Sequence, residues 1–489
     1  MPDNSALEWT EIRDFTPGLW RRDRYTMPPN AAQTMLNCYP LPQGGLEPWF
    51  SGSAITTTGL ATGKILGYIC LPFSTTWPNR EYCMVLRASD NVPLLYKRST
   101  FPSGSWTLVR TFAAGTASGH RRTIFLPALD TGAVTLVFYS LSVGSVDDGI
   151  RTIRGNDTTT DVRVGSGKGV SAMCIHQDRL VFADDAGDLY YLDPGSLTFE
   201  VAQIIRPVPS ETTNVGFLAP YTPSELLVGT QGPMVLIQGD LADPTLRRMS
   251  NTTPTILGNE DTLRQTSSTE TPAGLTFIAE EHGIFATRSG DSFRSLSDPI
   301  PGPWTGAALS LDRYTADLLY YRRFLIAPTG SEILVQDTDT GAWFVTTALP
   351  NGQILGRKEG SVVGFATGAG APTGAYIDFT AFDSPTTRSL TWTWKSAPIR
   401  DITGRQVEIR EIQIPYKTAA GGTSTLTVTC NGIVRAKTLS ASSSGVATFL
   451  LAARASYLDV QIDAATSAAT AAPAIEAVRI GHHAAHRTL

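Results

Sequence analysis

The sequence predicts an all-β protein: a β-propeller of about six or seven blades, then a C-terminal antiparallel β-sandwich, with an extended N-terminal arm in front. Three observations carry this. Almost no segment has helical period; short runs rich in β-branched and aromatic residues alternate with turns of Gly, Asp, Asn, Ser and Pro. That run-turn-run grammar returns about every 40 to 50 residues, the spacing of four-stranded blades. The turn formers are also plentiful: 44 Gly and 31 Pro are spread along 489 residues.

The elements follow in chain order. Residues 1–49 read as an arm that docks on a partner. In "PPNAAQTMLNCYPLPQGGLEPWF" (Pro28 to Phe50), Pro28 and Pro29 stiffen the approach, and Asn30 is a sound N-cap for a short helix over "AAQTML". Gly44-Gly45 then turns the chain into a strand.

Residues 50–390 read as the propeller. "LVFADDAGDLYYLDPGSLTFE" (Leu180 to Glu200) is the clearest stretch: strand, acidic turn, strand, Pro-Gly turn, strand. The pattern recurs at Glu225 to Asp240, Leu275 to Ser297, Phe324 to Leu349 and Ser361 to Phe379. "EYCMVLRASDNVPLLYKRS" and "AVTLVFYSLSVGSVDDGIRTIRG" supply two earlier, less regular blades. After "TTRSLTWTWKSAP" the grammar changes. Residues 391–481 hold about six or seven strands, including a hairpin with Asn431-Gly432 at its turn, which suggests the sandwich. "AATSAATAAPA" (Ala464 to Ala474) is low-complexity and reads as an exposed loop. Residues 482–489 read as a tail.

Composition excludes several classes. Charged residues make up only 17% and hydrophobic ones 42%, which argues for a folded chain over a disordered or coiled-coil one. A net charge of -5 gives no basic footprint for wrapping nucleic acid. Cys38, Cys70, Cys83, Cys174 and Cys430 are widely spaced with no CxxC, so they read as buried reduced thiols. The acidic start "MPDNSALEWTEIRDF" has no apolar leader, and no run approaches about 18 apolar residues, so folding in a cytoplasm with no spanning segment is expected.

The chemical motifs are weak. "GSGKG" (Gly165 to Gly169) lacks the GxxxxGK[ST] spacing of a phosphate loop, and Lys168 is followed by Gly169 and a strand. "DTDTGAW" (Asp337 to Trp343) has alternating Asp, but Ala348 stands where a calcium loop needs its closing Glu. It also resembles the Asp-box turn of sialidase propellers, without that motif's first Ser and its Thr before Trp; a blade hairpin is expected. His482, His483 and His486 cluster in the tail, where preorganised metal ligation is rare. Glycosidase chemistry needs two facing carboxylates; Asp184, Asp185 and Asp188, and Glu280 and Glu281, sit at blade turns where acids are ordinary. GxSxG and HExxH are absent. No catalytic, cofactor-binding or metal-ligating residue is therefore expected.

One resemblance remains. The order "FTPGLW…MPPNAAQTMLNCYPLPQGGLEPWF", ahead of a propeller and a sandwich, resembles the tail nozzle proteins of short-tailed bacteriophages, also called tail tubular protein B. Phe15, Pro17, Gly18 and Leu19 match the first part of that pattern. Pro29, Asn30, Ala31 and Asn37 match the second, and Gly44, Gly45, Leu46 and Pro48 the third. The chain departs at Glu47, where the family commonly has Arg, and at Trp49-Phe50. The resemblance implies a non-enzymatic virion protein, made in the host bacterial cytoplasm and located in the tail. Its partners would be copies of itself in a homohexameric ring, a portal-adaptor protein, and tail fibres or spikes. Packaged DNA would pass through the lumen without sequence-specific binding, and a mildly acidic wall suits sliding DNA. The rival readings are a carbohydrate-binding or carbohydrate-cleaving propeller acting as a receptor-binding tail protein, and a non-viral propeller scaffold.

Overall fold

The computed structural model describes residues 7–484 except 23–25, 72–80, 113–122, 131–132, 141–148, 165–169, 185, 200–202, 208–214, 231–233, 249–267, 280–282, 289–291, 301–317, 330–331, 351–353, 359, 367–369, 381–387, 400–405 and 468–470. Every regular element among them is a β-strand.

Seven four-stranded meanders follow one another. Blade 1 spans 63–111, blade 2 125–164, blade 3 170–205, blade 4 215–248 and blade 5 268–295. Blade 6 spans 319–346, and blade 7 takes three strands from 354–378. Six are separate four-stranded sheets, while the four strands of blade 6 begin a nine-stranded sheet. Strand alternation buries both faces of each blade against its neighbours. Leu66 and Met84 share a core with Leu136 and Phe138 between blades 1 and 2, and Ile150 shares one with Phe182 between blades 2 and 3. Val181 shares a core with Val228 next, and then Leu227 with Phe277.

The ring closes between blades 7 and 1, where Val363 and Phe365 share a core with Ile65 and Cys83. The fourth strand of blade 7 is Ser53–Ile55, antiparallel to Gly374–Asp378. Residues that precede blade 1 thus complete the last blade. A buried ion pair stands beside this clasp. Arg98 donates to Glu81 at 2.8 Å with both side chains wholly buried, and reaches the Thr56 and Pro102 carbonyls at 3.1 Å. Trp106 Nε1 also donates to Thr56 O at 3.1 Å.

The nine-stranded sheet continues from Trp343–Thr346 of blade 6 through Ala32–Leu36 to Thr391–Ser396, Val460–Thr466, Ser424–Cys430 and Ile433–Leu439. A seven-stranded sheet runs from Glu8–Ile12 through Val478–Ala484 to Val407–Lys417, with Ser444–Ala455 on the far side of Val407–Lys417. The two sheets share one apolar core, in which Ile412, Phe449 and Ile480 belong to one and Trp392, Val428 and Ile462 to the other. The hairpin at Asn431-Gly432 forms as its residues dictate, with φ of 47° and 76°.

Four expectations are corrected here. Residues 1–49 are no free arm, because Phe15, Leu19, Met35, Tyr39 and Trp49 are each buried in the largest core. The helix over "AAQTML" is a strand, Ala32–Leu36, antiparallel to Thr391–Ser396 and parallel to the outer strand of blade 6. Pairing on both edges outweighs a helix propensity of a few tenths of a kcal/mol per residue, and Asn30 donates instead to Asp14 Oδ2 at 3.0 Å. The segment expected to form a sandwich of its own shares both sheets with the N-terminal residues, and one of them with blade 6. The Ala464 to Ala474 run is not an exposed loop where it is described: Ala464, Ala471 and Ala472 are buried.

Candidate functional site

The residues matching the nozzle pattern assemble into a joint between blade 6 and the two C-terminal sheets. Phe15 lies edge-on to Trp394 with ring centroids 5.4 Å apart. Gly18 turns at φ 62°, and a Cβ there would lie 2.7 Å from the Trp343 nitrogen. This close approach lets Leu19 N donate to Trp343 O at 2.8 Å. Asn37 adopts φ 54°, which Asn tolerates better than most side chains. Its amide group pairs both ways with Thr347, donating to Oγ1 at 2.8 Å and accepting from the backbone N at 2.9 Å. Gly45, at φ 93°, brings its Cα against the Ile475 carbonyl, where a Cβ would come within 2.6 Å.

Trp49 is the centre of the joint. It is wholly buried and edge-on to Phe324, Phe344 and Phe50 at 4.6, 4.8 and 4.9 Å. Arg388 closes it from above Phe50, 4.3 Å from the ring centroid, and donates to Tyr39 Oη at 3.2 Å and Pro48 O at 3.4 Å. Glu47 accepts from Tyr39 at 2.9 Å and stands 3.7 Å from Arg388. Burial pushes the Tyr39 phenol up to about 12, with Arg388 opposing. At this position the chain carries an acid that an arginine from residue 388 meets.

A groove of about 400 Å3 opens beside the joint among Arg13, Gln43, Lys417, Glu476 and Arg479. Glu11 holds two of its cations, Arg479 at 2.6 Å and Arg13 at 3.1 Å. Both arrangements can fix one part of the chain against another.

The remaining sequence candidates are dispersed. Asp184 braces its own turn, with Oδ1 accepting from the Ala186 and Asp188 amides at 2.9 and 3.1 Å and Oδ2 from Tyr190 at 3.2 Å. Asp188 meets Arg206 at 3.2 Å. Asp185, Glu280, Glu281, the "GSGKG" loop and His486 lie outside the described residues. Asp337 is a blade-hairpin residue; it accepts from Asp339 N at 3.1 Å and faces Arg323 at 3.2 Å, and burial pushes its carboxyl up. His482 and His483 are not in a tail but in the strand Val478–Ala484. Successive strand residues point to opposite faces, so the two imidazoles diverge; His482 meets Thr10 Oγ1 at 3.0 Å. Among the described residues no group of three or more His, Cys, Asp or Glu is placed to hold a metal, and no helix is long and apolar enough to cross a membrane.

All five cysteines are free, four of them buried; burial raises the thiols of Cys38, Cys83 and Cys174 and brings Cys430 to about 12. Sequence reasoning missed Trp343, Phe324, Trp394 and Arg388 as partners of the pattern. The signal was present only for Trp392 and Trp394, whose alternation in "TWTW" places both on one strand face.

No protein-family model matches the chain, and no curated protein matches it. Among solved structures it is similar to an exo-beta-1,3-galactanase from Phanerochaete chrysosporium, at 11% identity and TM-score 0.31, over 88% of this chain and 99% of that one. It is similar to YCF48 bound to D1 peptide, at 10% identity and TM-score 0.41, over 69% and 97%. BamB from Moraxella catarrhalis gives 10% identity and TM-score 0.35, over 66% and 99%. Scores this low carry no argument about the chemistry of this chain.

Proposed function

We propose that the chain is a structural virion protein of a bacteriophage, a building block of the tail nozzle that conducts and retains packaged DNA. One observation carries the reading: the nozzle-like residues Phe15, Gly18, Leu19, Asn37, Gly45 and Leu46 all serve a buried joint. A motif of this kind has a mechanical reason to exist and needs no reaction. It holds a propeller blade and two further sheets as one body, which suits a wall element under load. Asp184 and Asp337 fit the same reading, since each is engaged by its own turn.

The test is negative-stain imaging and light scattering of the purified full-length chain. A closed ring of about six times the 52.5 kDa chain is expected. A monomer that cleaves or captures glycans on an array would overturn the nozzle reading in favour of the carbohydrate propeller.

A further inference from the structure

We propose that copies of this chain join head to tail by strand addition. The outer edge of Ser444–Ala455 on one copy pairs with the outer edge of Glu8–Ile12 on the next. This deepens the assembly reading and rests on it.

The two strands end the same sheet. Across it run Glu8–Ile12, Val478–Ala484, Val407–Lys417 and Ser444–Ala455, and among the described residues neither outer edge is hydrogen-bonded to another strand. All three pairings are antiparallel. Ser444–Ala455 therefore runs opposite to Glu8–Ile12, and a copy added in the same orientation continues the antiparallel ladder.

Several other outer edges of this molecule carry cations, a common device against strand addition. Ile433–Leu439 ends the nine-stranded sheet, and its Arg435 and Lys437 stand opposite the buried Val428 and Leu426, so both cations point to the core side. Outer strands of blades 1, 4 and 5 carry Arg110, Arg247 with Arg248, and Arg294. Ser444 to Ala453, by contrast, reads SGVATFLLAA, ten residues without charge or proline before Arg454, and the facing strand Glu8–Ile12 carries only acids, Glu8 and Glu11.

Side chains on the solvent face match this joint. Leu450, Glu411, Gly481 and Trp9 form one cross-strand row. Gly481 seats the indole, since a Cβ there would meet the Trp9 ring at 3.2 Å. The row therefore ends in exposed apolar groups at both edges, Leu450 at 69% exposure and Trp9 at 46%. Head-to-tail pairing lays Leu450 of one copy beside Trp9 of the next, an aliphatic–aromatic cross-strand contact. Such a joint is heterologous and repeats until the ring closes. A two-fold joint of Ser444–Ala455 with itself would stop at two copies and leave both indoles exposed.

The test uses the full chain in light scattering after size exclusion, across protein concentration. Unmodified protein should form an oligomer larger than a dimer. Leu450→Lys alone and Trp9→Glu alone should each weaken association at least tenfold. Combining both substitutions in one chain should restore it, because every joint then sets an ammonium beside a carboxylate. Val434→Lys, on the guarded edge, should change nothing. Both positions are exposed, so far-UV circular dichroism should stay as in the parent, and the thermal midpoint should fall only as far as lost association accounts for. Full assembly by both single variants would overturn this joint and leave the nozzle reading standing. A parent chain that stays monomeric at every concentration would overturn both. A dimer lost in Leu450→Lys but kept in Trp9→Glu would replace the head-to-tail joint with a two-fold one.

Discussion

Gly18 shows how one missing side chain decides a contact. Its φ of 62° and the 2.7 Å approach to the Trp343 nitrogen leave no place for a β-carbon. Gly18→Ala combines a left-handed penalty of about 1 kcal/mol with a clash against backbone, which cannot rotate away, so a loss of about 2–4 kcal/mol is expected. Urea denaturation of the two proteins checks it. His176 offers a second test at this scale. It is 3% exposed, its Nε2 has no hydrogen-bond partner among the described residues, and burial holds its pKa below the ordinary value of 6.5. The folded state keeps the ring neutral while the unfolded chain takes up a proton. Stability from this residue is thus complete above 6.5 and falls as pH drops from there toward the lower folded value, by at most about 1.4 kcal/mol per pH unit. Comparing unfolding at pH 7.5 and 5.5 should show that loss reduced in His176→Gln.

At the scale of the element, Ala32–Leu36 is the strand on which blade 6 and the C-terminal sheet both depend. It lies between Trp343–Thr346 and Thr391–Ser396. Removing residues 1–50 opens both of those edges and strips Trp49, Phe50 and Phe15 from the core. The truncated protein should be insoluble, whereas a docking arm would have left a folded remainder; the pelleted fraction after lysis decides between them. The blades were legible in the sequence because a meander is local. Leu180 to Tyr191 alternates and turns within a dozen residues, and the strands Arg179–Asp184 and Leu189–Tyr191 form where expected. The joint was not legible, because the partners of Phe15 and Trp49 lie at Trp394, Phe324 and Phe344, about 275 to 380 positions away. Local rules favoured a helix over Ala31 to Leu36, and long-range pairing decided otherwise.

At the scale of the whole molecule, the ring is held shut by hydrogen bonds and packing at the seam of blades 7 and 1. Arg98 ties the seam, joining Glu81 to the Thr56 carbonyl, which follows the clasp strand Ser53–Ile55, and to the Pro102 carbonyl of blade 1. Arg98→Ala strands Glu81 as a buried charge, at a cost of about 3–5 kcal/mol. Amide exchange should rise first in Ser53–Ile55 and Gly374–Asp378. Arg98→Met with Glu81→Leu should recover much of the loss, because no charge is left behind. Uniform exchange across all blades in Arg98→Ala would show that the pair does not act at the seam.

The clasp also sets an order of events at the ribosome. Ala54 pairs with Ala375, and Thr10 with Ile480, so each of these residues leaves the ribosome long before its partner does. At about 5–20 residues per second, the first wait lasts roughly a quarter of a minute to a minute, and the second roughly half a minute to a minute and a half. Blades 1 to 5 need nothing from the N-terminal strands for their own ladders and can form during that interval. Throughout it the nascent chain carries Phe15, Trp49 and Phe50 unburied, a sticky leader on an otherwise folding protein. Translation speed between Phe50 and the partners at Phe324, Phe344 and Trp394 therefore governs how long those side chains stay open to capture by a chaperone or by a neighbouring nascent chain.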